Sequence, residues 1–268
     1  MPTQDRPPAR VFPELEGKRA VVTGGSRGIG AAIVRNFLDA GAAVVTSARS
    51  RPEQMPSGAT FVEADLSTSD GVRAFADTVV DTLGDVDIIV NNAGGCRSFH
   101  SVLDLEQDWQ YTMDINFLAA VRLNAALVPF LRDSGGGVIV HVSSTATLAA
   151  YSMLYHYAAA KSALETYSKG LATELAPDGI RVVSVCLGNV ATPASETARS
   201  QIVEYFGGDP GSTDLNDLAE KWAAEIPLGR MGEARDIADA VSFLVSPRAS
   251  WITGSNVLID GGKTASLA

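Results

Sequence analysis

Short runs rich in valine and isoleucine alternate along this chain with longer amphipathic runs. That alternation limits the available folds more than any other feature. The short runs are Arg19–Gly25, Ala42–Ala48, Ala59–Leu66, Val86–Gly94, Gly137–Ser144, Ile180–Gly188 and Ser255–Gly262. Between them lie helical patterns at Ile29–Gly41, Ser67–Gly84, Asp114–Ser134, Tyr155–Ala176 and Glu233–Ser246. Near-continuous apolar strands have both faces buried, and a helix between strands lets the second run parallel to the first. The pattern therefore predicts an α/β protein: a doubly wound parallel sheet of about seven strands, helices on both faces, and right-handed crossovers. With 268 residues, 46% of them hydrophobic, the chain suits one large domain over residues 15–268, preceded by a loose polar, proline-rich arm over residues 1–14. One connection is out of scale. Asn189–Arg230 spans roughly 40 residues and is expected to be a substrate lid with helical patches such as Thr213–Ile226.

Charge removes several functions. The net charge of −10, with a pI near 4.8, repels phosphate backbones, so nucleic acid is not an expected partner. The two cysteines, Cys96 and Cys186, lack metal-like spacing and have three histidines to help them. No metal site is expected, and a reducing, cytoplasmic location is the simplest reading. The N-terminal stretch lacks the apolar core of a signal peptide, and no apolar run of about 18 or more follows, so no membrane association is expected.

The segment "TGGSRGIG", Thr23–Gly30, joins the first strand to the first helix. Gly24, Gly28 and Gly30 permit a tight turn, close approach of a pyrophosphate, and close packing of helix on strand. The helix N-terminus then offers free N–H groups and a positive dipole end to phosphates. A site for NAD usually ends its second strand on a carboxylate that holds the ribose hydroxyls. Here Ala48 stands at that place, Arg49 follows, and Arg27 lies within the loop. Two arginines without a carboxylate favour a 2′-phosphate, hence NADP(H), with NAD(H) as the alternative.

A second pair carries chemistry. Tyr157 precedes Lys161 by four residues, so both lie on one helical face. The spacing by itself also describes an ordinary solvated pair. A phenol has a pKa near 10, and a neighbouring ammonium favours its ionised form, as does the positive charge of an oxidised nicotinamide. Lowering it by about three units requires roughly 4 kcal/mol of differential stabilisation. In that state Tyr157 would exchange a proton with a substrate oxygen while hydride moves to or from a nicotinamide.

Taken in order, these segments resemble the compact short-chain dehydrogenase/reductase family from about Gly17 to Gly262. The loop matches its TGxxxGxG, Asp65 in "ADL" its adenine-side aspartate, and Asn91–Gly94 its "NNAG". Asn116 matches its central-helix asparagine, and Ser144 lies 13 residues before the Tyr157–Lys161 pair, as the family's serine does. The resemblance implies a catalytic set of Asn116, Ser144, Tyr157 and Lys161, with Ser143 as rival to Ser144. In that set Ser144 bonds the substrate oxygen, Lys161 also holds the nicotinamide ribose, and Asn116 holds a water linking Lys161 to solvent. Asn116 has a plainer reading as a core residue bonded to helix backbone. The implied cofactor contacts are Gly24, Ser26, Arg27, Gly28, Ile29 and Gly30, then Arg49, Asp65 and Leu66, then Asn92, Ala93 and Gly94. Tyr157, Lys161, Gly188, Val190 and Thr192 complete them. One departure stands out: Leu187–Gly188 replaces the family's frequent Pro-Gly.

The implied activity is hydride transfer between NADP(H) and a small-molecule carbonyl or secondary alcohol. An NAD(H)-dependent alcohol dehydrogenase and a non-catalytic cofactor-binding member of the fold are the alternatives. A dehalogenase-type lyase would replace the glycine loop, which is intact. Phe99, Tyr151, Tyr155, Tyr205, Phe206 and Trp222 suggest an apolar or aromatic substrate, although aromatic side chains also pack lids shut. His156, about 100° around the helix from Tyr157, reads as a bystander. The family resemblance also implies a homo-oligomer, a tetramer or dimer, with the last strand as a pairing element.

Overall fold

The computed structural model describes residues 14–53, 55–97, 103, 106–149, 153–205, 207–209 and 214–265. Strands β1 (Arg19–Thr23), β2 (Ala43–Ala48), β3 (Thr60–Glu63), β4 (Ile88–Asn91), β5 (Gly137–Ser144), β6 (Ile180–Leu187) and β9 (Asn256–Ile259) form one sheet, in the order β3-β2-β1-β4-β5-β6-β9. Every pairing is parallel. The seven strands are those expected from the sequence. Their carboxyl ends share one edge, and the chain reverses direction across the sheet between β1 and β4, where such folds open a crevice.

Alternate residues of each strand feed two cores. Val22, Val140 and Val183 join Ile33 and Phe37 of α1 (Gly28–Asp39) and Val241 of α8 (Ala234–Val245). Their strand neighbours Val21, Ile139 and Val182 face α2 (Ser69–Leu83), α4 (Ala119–Asp133) and α5 (Tyr155–Leu175) on the other side, among Phe75, Leu127 and Leu175. Burial on both faces explains the continuous apolar runs.

The central helix departs from expectation. It starts at Glu106 as α3 (Glu106–Met113), passes through a π turn at Asp114–Leu118, and continues as α4. In the π turn the Ala119 N–H bonds the Asp114 carbonyl, five residues back. The polar stretch "EQDWQYTM" gave the periodicity little to register, and the extra residue of a π turn shifts the helical phase. The stretch Asp108–Asp133 has the length and mean apolarity of a membrane span, although polar residues interrupt it. Its apolar side lies against the sheet, with Leu123, Leu127 and Leu131 fully buried.

The long connection is closed at its base. β7 (Val190–Ala191) and β8 (Gly232–Glu233) pair as a separate parallel ladder, and Gly232 N–H bonds the Asn189 carbonyl at 2.9 Å. Two helices stand on that base, α6 (Pro193–Tyr205) and α7 (Asp214–Ala224). Of the expected arm, residues 1–13 lie outside the described residues, as do Phe99, Tyr151 and Phe206, and the structure does not describe the side chain of Tyr205. Glu14, the last residue of the arm, pairs with Arg248 at 3.5 Å.

Candidate active site

The glycine loop is held from below by residues of three strands. Thr46, fully buried on β2, accepts the Gly25 N–H at 3.0 Å and donates to the Val22 carbonyl at 2.6 Å. A Cβ on Gly25 would overlap the Thr46 hydroxyl, so Gly25 matters as much as the three glycines singled out from the sequence. The glycine doublet, and a threonine inside a valine run, were the available signals. Asn92 donates through Nδ2 to the carbonyls of Thr23 (2.8 Å) and Gly24 (3.2 Å). Thr23 Oγ1 in turn accepts the N–H groups of Asn92 and Ala93 at 3.0 and 2.9 Å. Two motifs far apart in sequence thus form one clamp. The Asn92 side chain supports the loop, and Ile29 packs toward the core beside it.

The loop is open where a phosphate would sit. Gly24 and Gly28 have φ of 69° and 57°, left-handed values that favour glycine. Arg27 caps α1 without a side-chain bond, and the first turn carries no acid, so the leading N–H groups meet no competing carboxylate. Ser26 is half-buried, and Arg27 and Arg49 are exposed at the rim. Asp65 accepts from Ser67 N–H and Oγ at 3.0 and 2.7 Å. These bonds, then attraction from Arg49 and Arg97, hold its carboxyl below the usual range. Leu66 beside it is buried. On the far side, Gly188 is required by packing: a Cβ there would lie 2.6 Å from Asp260 Cβ. The missing proline leaves this contact intact. Val190 is buried in β7, and Thr192 sits against Gly28, 3.6 Å from where a Cβ on that glycine would stand. A backbone cradle with free helix N–H groups and cationic rims fits a dinucleotide.

The four residues of the expected catalytic set come from the π turn, β5 and α5. Lys161 is buried and donates to the Val142 carbonyl at 2.9 Å. Gly94 is the hinge of the group, because a Cβ there would lie 2.6 Å from Asn116 Oδ1 and 3.1 Å from Lys161 Nζ. Asn116 Oδ1 accepts the Gly95 N–H (2.8 Å), and its Nδ2 donates to the Gly95 and Thr112 carbonyls (2.9 and 3.0 Å). Its side chain therefore fixes the loop after β4 and bonds helix backbone, the plainer of its two sequence readings. Ser144 accepts the Ala146 N–H at 3.2 Å, and its hydroxyl is near enough to Tyr157 to favour the ionised phenol. Ser143 points to the other side of β5, where it donates to Glu165 at 2.5 Å. Strand alternation puts the two serines on opposite sides of β5.

Glu165 was not singled out from the sequence, although it continues the four-residue series from Tyr157 and Lys161. It also accepts from Thr147 at 3.1 Å, and its charge favours protonated Lys161. His156 Nε2 lies 3.6 Å from Cys96 Sγ, and its ring meets Trp109 edge-on.

In the protein alone, without the nicotinamide charge that the expectation also counts on, Tyr157 is not made acidic. Burial pushes its hydroxyl up to about 12, against the pull of the Ser144 hydroxyl, and pushes Lys161 down to about 8. The ammonium lies 5.7 Å from the ring centroid and is tied to the Val142 carbonyl. At that position its attraction does not offset the hydration both groups lose.

A family model described as enoyl-(acyl carrier protein) reductase matches residues 24–264. The chain is 31% identical over 255 residues to 3-oxoacyl-(acyl-carrier-protein) reductase of Vibrio cholerae, covering 92% of this chain and 98% of that one. Aldohexose dehydrogenase of Thermoplasma acidophilum superposes with a TM-score of 0.86 at 29% identity, covering 96% of this chain and 98% of that one. L-Sorbose reductase of Gluconobacter frateurii, solved with NADPH and L-sorbose, superposes with a TM-score of 0.83 at 33% identity, covering 94% and 98%.

Proposed function

The chain belongs to the short-chain dehydrogenase/reductase family, whose members oxidise CH–OH or reduce C=O groups with NAD(P)(H), and from that premise we propose that it is an NADP(H)-dependent reductase or dehydrogenase of a small-molecule carbonyl or secondary alcohol, with Tyr157 as general acid/base. The observation that carries this reading is buried Lys161, tied to the Val142 carbonyl at 2.9 Å with its ammonium 5.7 Å from the Tyr157 ring centroid, beside Ser144 at the end of β5. When bound, the cofactor supplies or accepts hydride and brings a charge of its own to the cleft. Tyr157 passes its hydroxyl proton to the substrate oxygen in reduction and takes it back in oxidation. Ser144 Oγ steadies that oxygen as its charge changes. Lys161, anchored on Val142, is placed to hold the nicotinamide ribose and to restore the tyrosine proton.

Arg27 and Arg49, with no carboxylate at the end of β2, support NADP(H) over NAD(H). The NADPH found with L-sorbose reductase agrees with that preference. Helices α6 and α7 act as the lid. A cytoplasmic homotetramer or dimer completes the reading, with the β9 edge and fully exposed Trp251 beside it offered to a second copy.

Tyr157→Phe tests the proposal. Turnover should fall by about 10²- to 10⁴-fold, while NADPH affinity, read by fluorescence titration, stays within a few-fold. A variant that keeps the wild-type rate overturns the role of Tyr157. NADPH binding without turnover on a broad carbonyl and alcohol panel would favour the non-catalytic alternative.

A further inference from the structure

Arg199 lies on α6, one turn beyond Ser195. Its Nε is buried and has no hydrogen-bond partner. Its Nη1 meets only weak or distant acceptors, Ser195 Oγ at 3.5 Å and Met231 Sδ at 4.0 Å. Among the described residues no carboxylate oxygen lies within 4.0 Å of it. Arg122 also has a buried nitrogen without a partner, yet it holds Asp114 at 2.7 Å. A half-buried cation is costly unless acceptors meet it, as three carbonyls meet inward Arg181. Carboxylates are plentiful in a chain of net charge −10, yet none of the described ones meets this guanidinium, and its open donors suit an anion from outside the chain.

The surroundings say which anion. Ser195 Oγ accepts the Thr192 N–H at 2.9 Å, and Thr192 packs on Gly28, the first residue of α1. Met231 immediately precedes β8, which pairs with β7 beside Thr192. Arg199 is thus two short links from the uncapped N-terminus of α1. On its other side α6 is tied across the cleft, where Gln201 Nε2 donates to the Arg97 carbonyl at 2.9 Å. The helix spans from the glycine loop to the loop after β4.

We propose that Arg199 is the lid's contact with the pyrophosphate of the dinucleotide. The guanidinium fork meets phosphate oxygens from above while the N–H groups of α1 meet them from below. Lid seating is thereby coupled to cofactor binding. The proposal rests on reading the cleft as a dinucleotide site.

The test uses full-length protein with Arg199→Gln and Arg199→Lys. Dissociation constants are measured for NADPH, for 2′-phospho-ADP-ribose and for adenosine 2′-phosphate, which has no pyrophosphate. A charge-assisted bond predicts that the glutamine variant binds the first two about tenfold or more weakly. The lysine variant should regain part of the loss, and adenosine 2′-phosphate should bind unchanged. NADPH should protect residues 189–230 from limited proteolysis in the wild type, and less so in the glutamine variant at equal saturation. Unchanged NADPH affinity in that variant overturns the proposal, and a raised KM for the carbonyl alone would assign Arg199 to a substrate anion. Equal weakening of adenosine 2′-phosphate overturns it too, as a lesion of the lid itself. A wild type that binds neither NADPH nor NADH removes the reading of the cleft along with it.

Discussion

At the glycine-loop end of the cleft, Thr23, Thr46 and Asn92 hold backbone with neutral hydrogen bonds of 2.6–3.2 Å, and the charged arginines stand outside in solvent. At the tyrosine end the ionisable groups are themselves drawn inward: Lys161 is buried, and burial shifts both it and Tyr157 toward their neutral forms. One end is shaped before any ligand arrives. The other is electrostatically incomplete, because its charges have lost water without gaining full partners. The difference teaches that recognition and reactivity in this cleft respond to different perturbations: shape at one end, charge balance at the other.

The largest expected effect breaks the shaped end. Gly30→Ala places a Cβ 2.5 Å from Asn92 Nδ2 and into the Gly24 carbonyl. Backbone cannot yield as a side chain does, so stability should fall by about 1–3 kcal/mol, and NADPH titration should not saturate at wild-type concentrations. Wild-type affinity in this variant would show that the close approach is unimportant.

Arg49→Ala leaves that shape intact and removes rim charge. NADPH should weaken about 10- to 100-fold, by the loss of a charge-assisted contact, with little change for NADH. Equal losses for both would undo the NADP(H) assignment.

Behind the tyrosine end, fully buried His141 accepts from Asn124 at 2.9 Å, and burial pushes its pKa down from 6.5 to about 3. Its folded value is depressed, so the unfolded chain binds the proton first. The stabilising contribution is complete above pH 6.5 and is lost as pH falls toward 3. Chemical denaturation between pH 7 and 4 should show a steeper acid loss in the wild type than in His141→Asn. Parallel curves would place the acid sensitivity elsewhere.

The smallest effect sharpens the charge balance. The Glu165 carboxylate raises the pKa of Lys161, so Glu165→Gln should lower it further. The alkaline limb of the kcat/KM profile should move to lower pH, by less than about one unit, with cofactor affinity unchanged. An unmoved profile would mean that the Glu165 charge is absorbed by Ser143 and Thr147.

Much of the fold was legible because its signals are local. The valine runs gave all seven strands of the main sheet, and "TGGSRGIG" gave the turn that places glycine at left-handed φ. The order Ser144, Tyr157, Lys161 was legible through resemblance, and the opposite directions of the adjacent serines follow from strand alternation. Other features had no local signature. The π turn around Asn116 is one extra residue in a helix whose first turns are polar. The Thr46–Gly25 contact joins β2 to the loop after β1, and the lack of a described carboxylate beside Arg199 is visible only in the folded chain.

By itself the sequence determined the element order, the parallel sheet and the backbone turn, since each depends on side-chain spacing or allowed φ over a dozen residues or fewer. The tertiary structure alone decided that Asn92 clamps the loop and that Asn116 bonds Gly95. It also decided that Tyr157 and Lys161 are held toward neutrality. A pKa depends on how much water the rest of the chain removes and where the remaining charges fall. Val142, Gly94 and Glu165 set those quantities for Lys161 from three different elements of the fold.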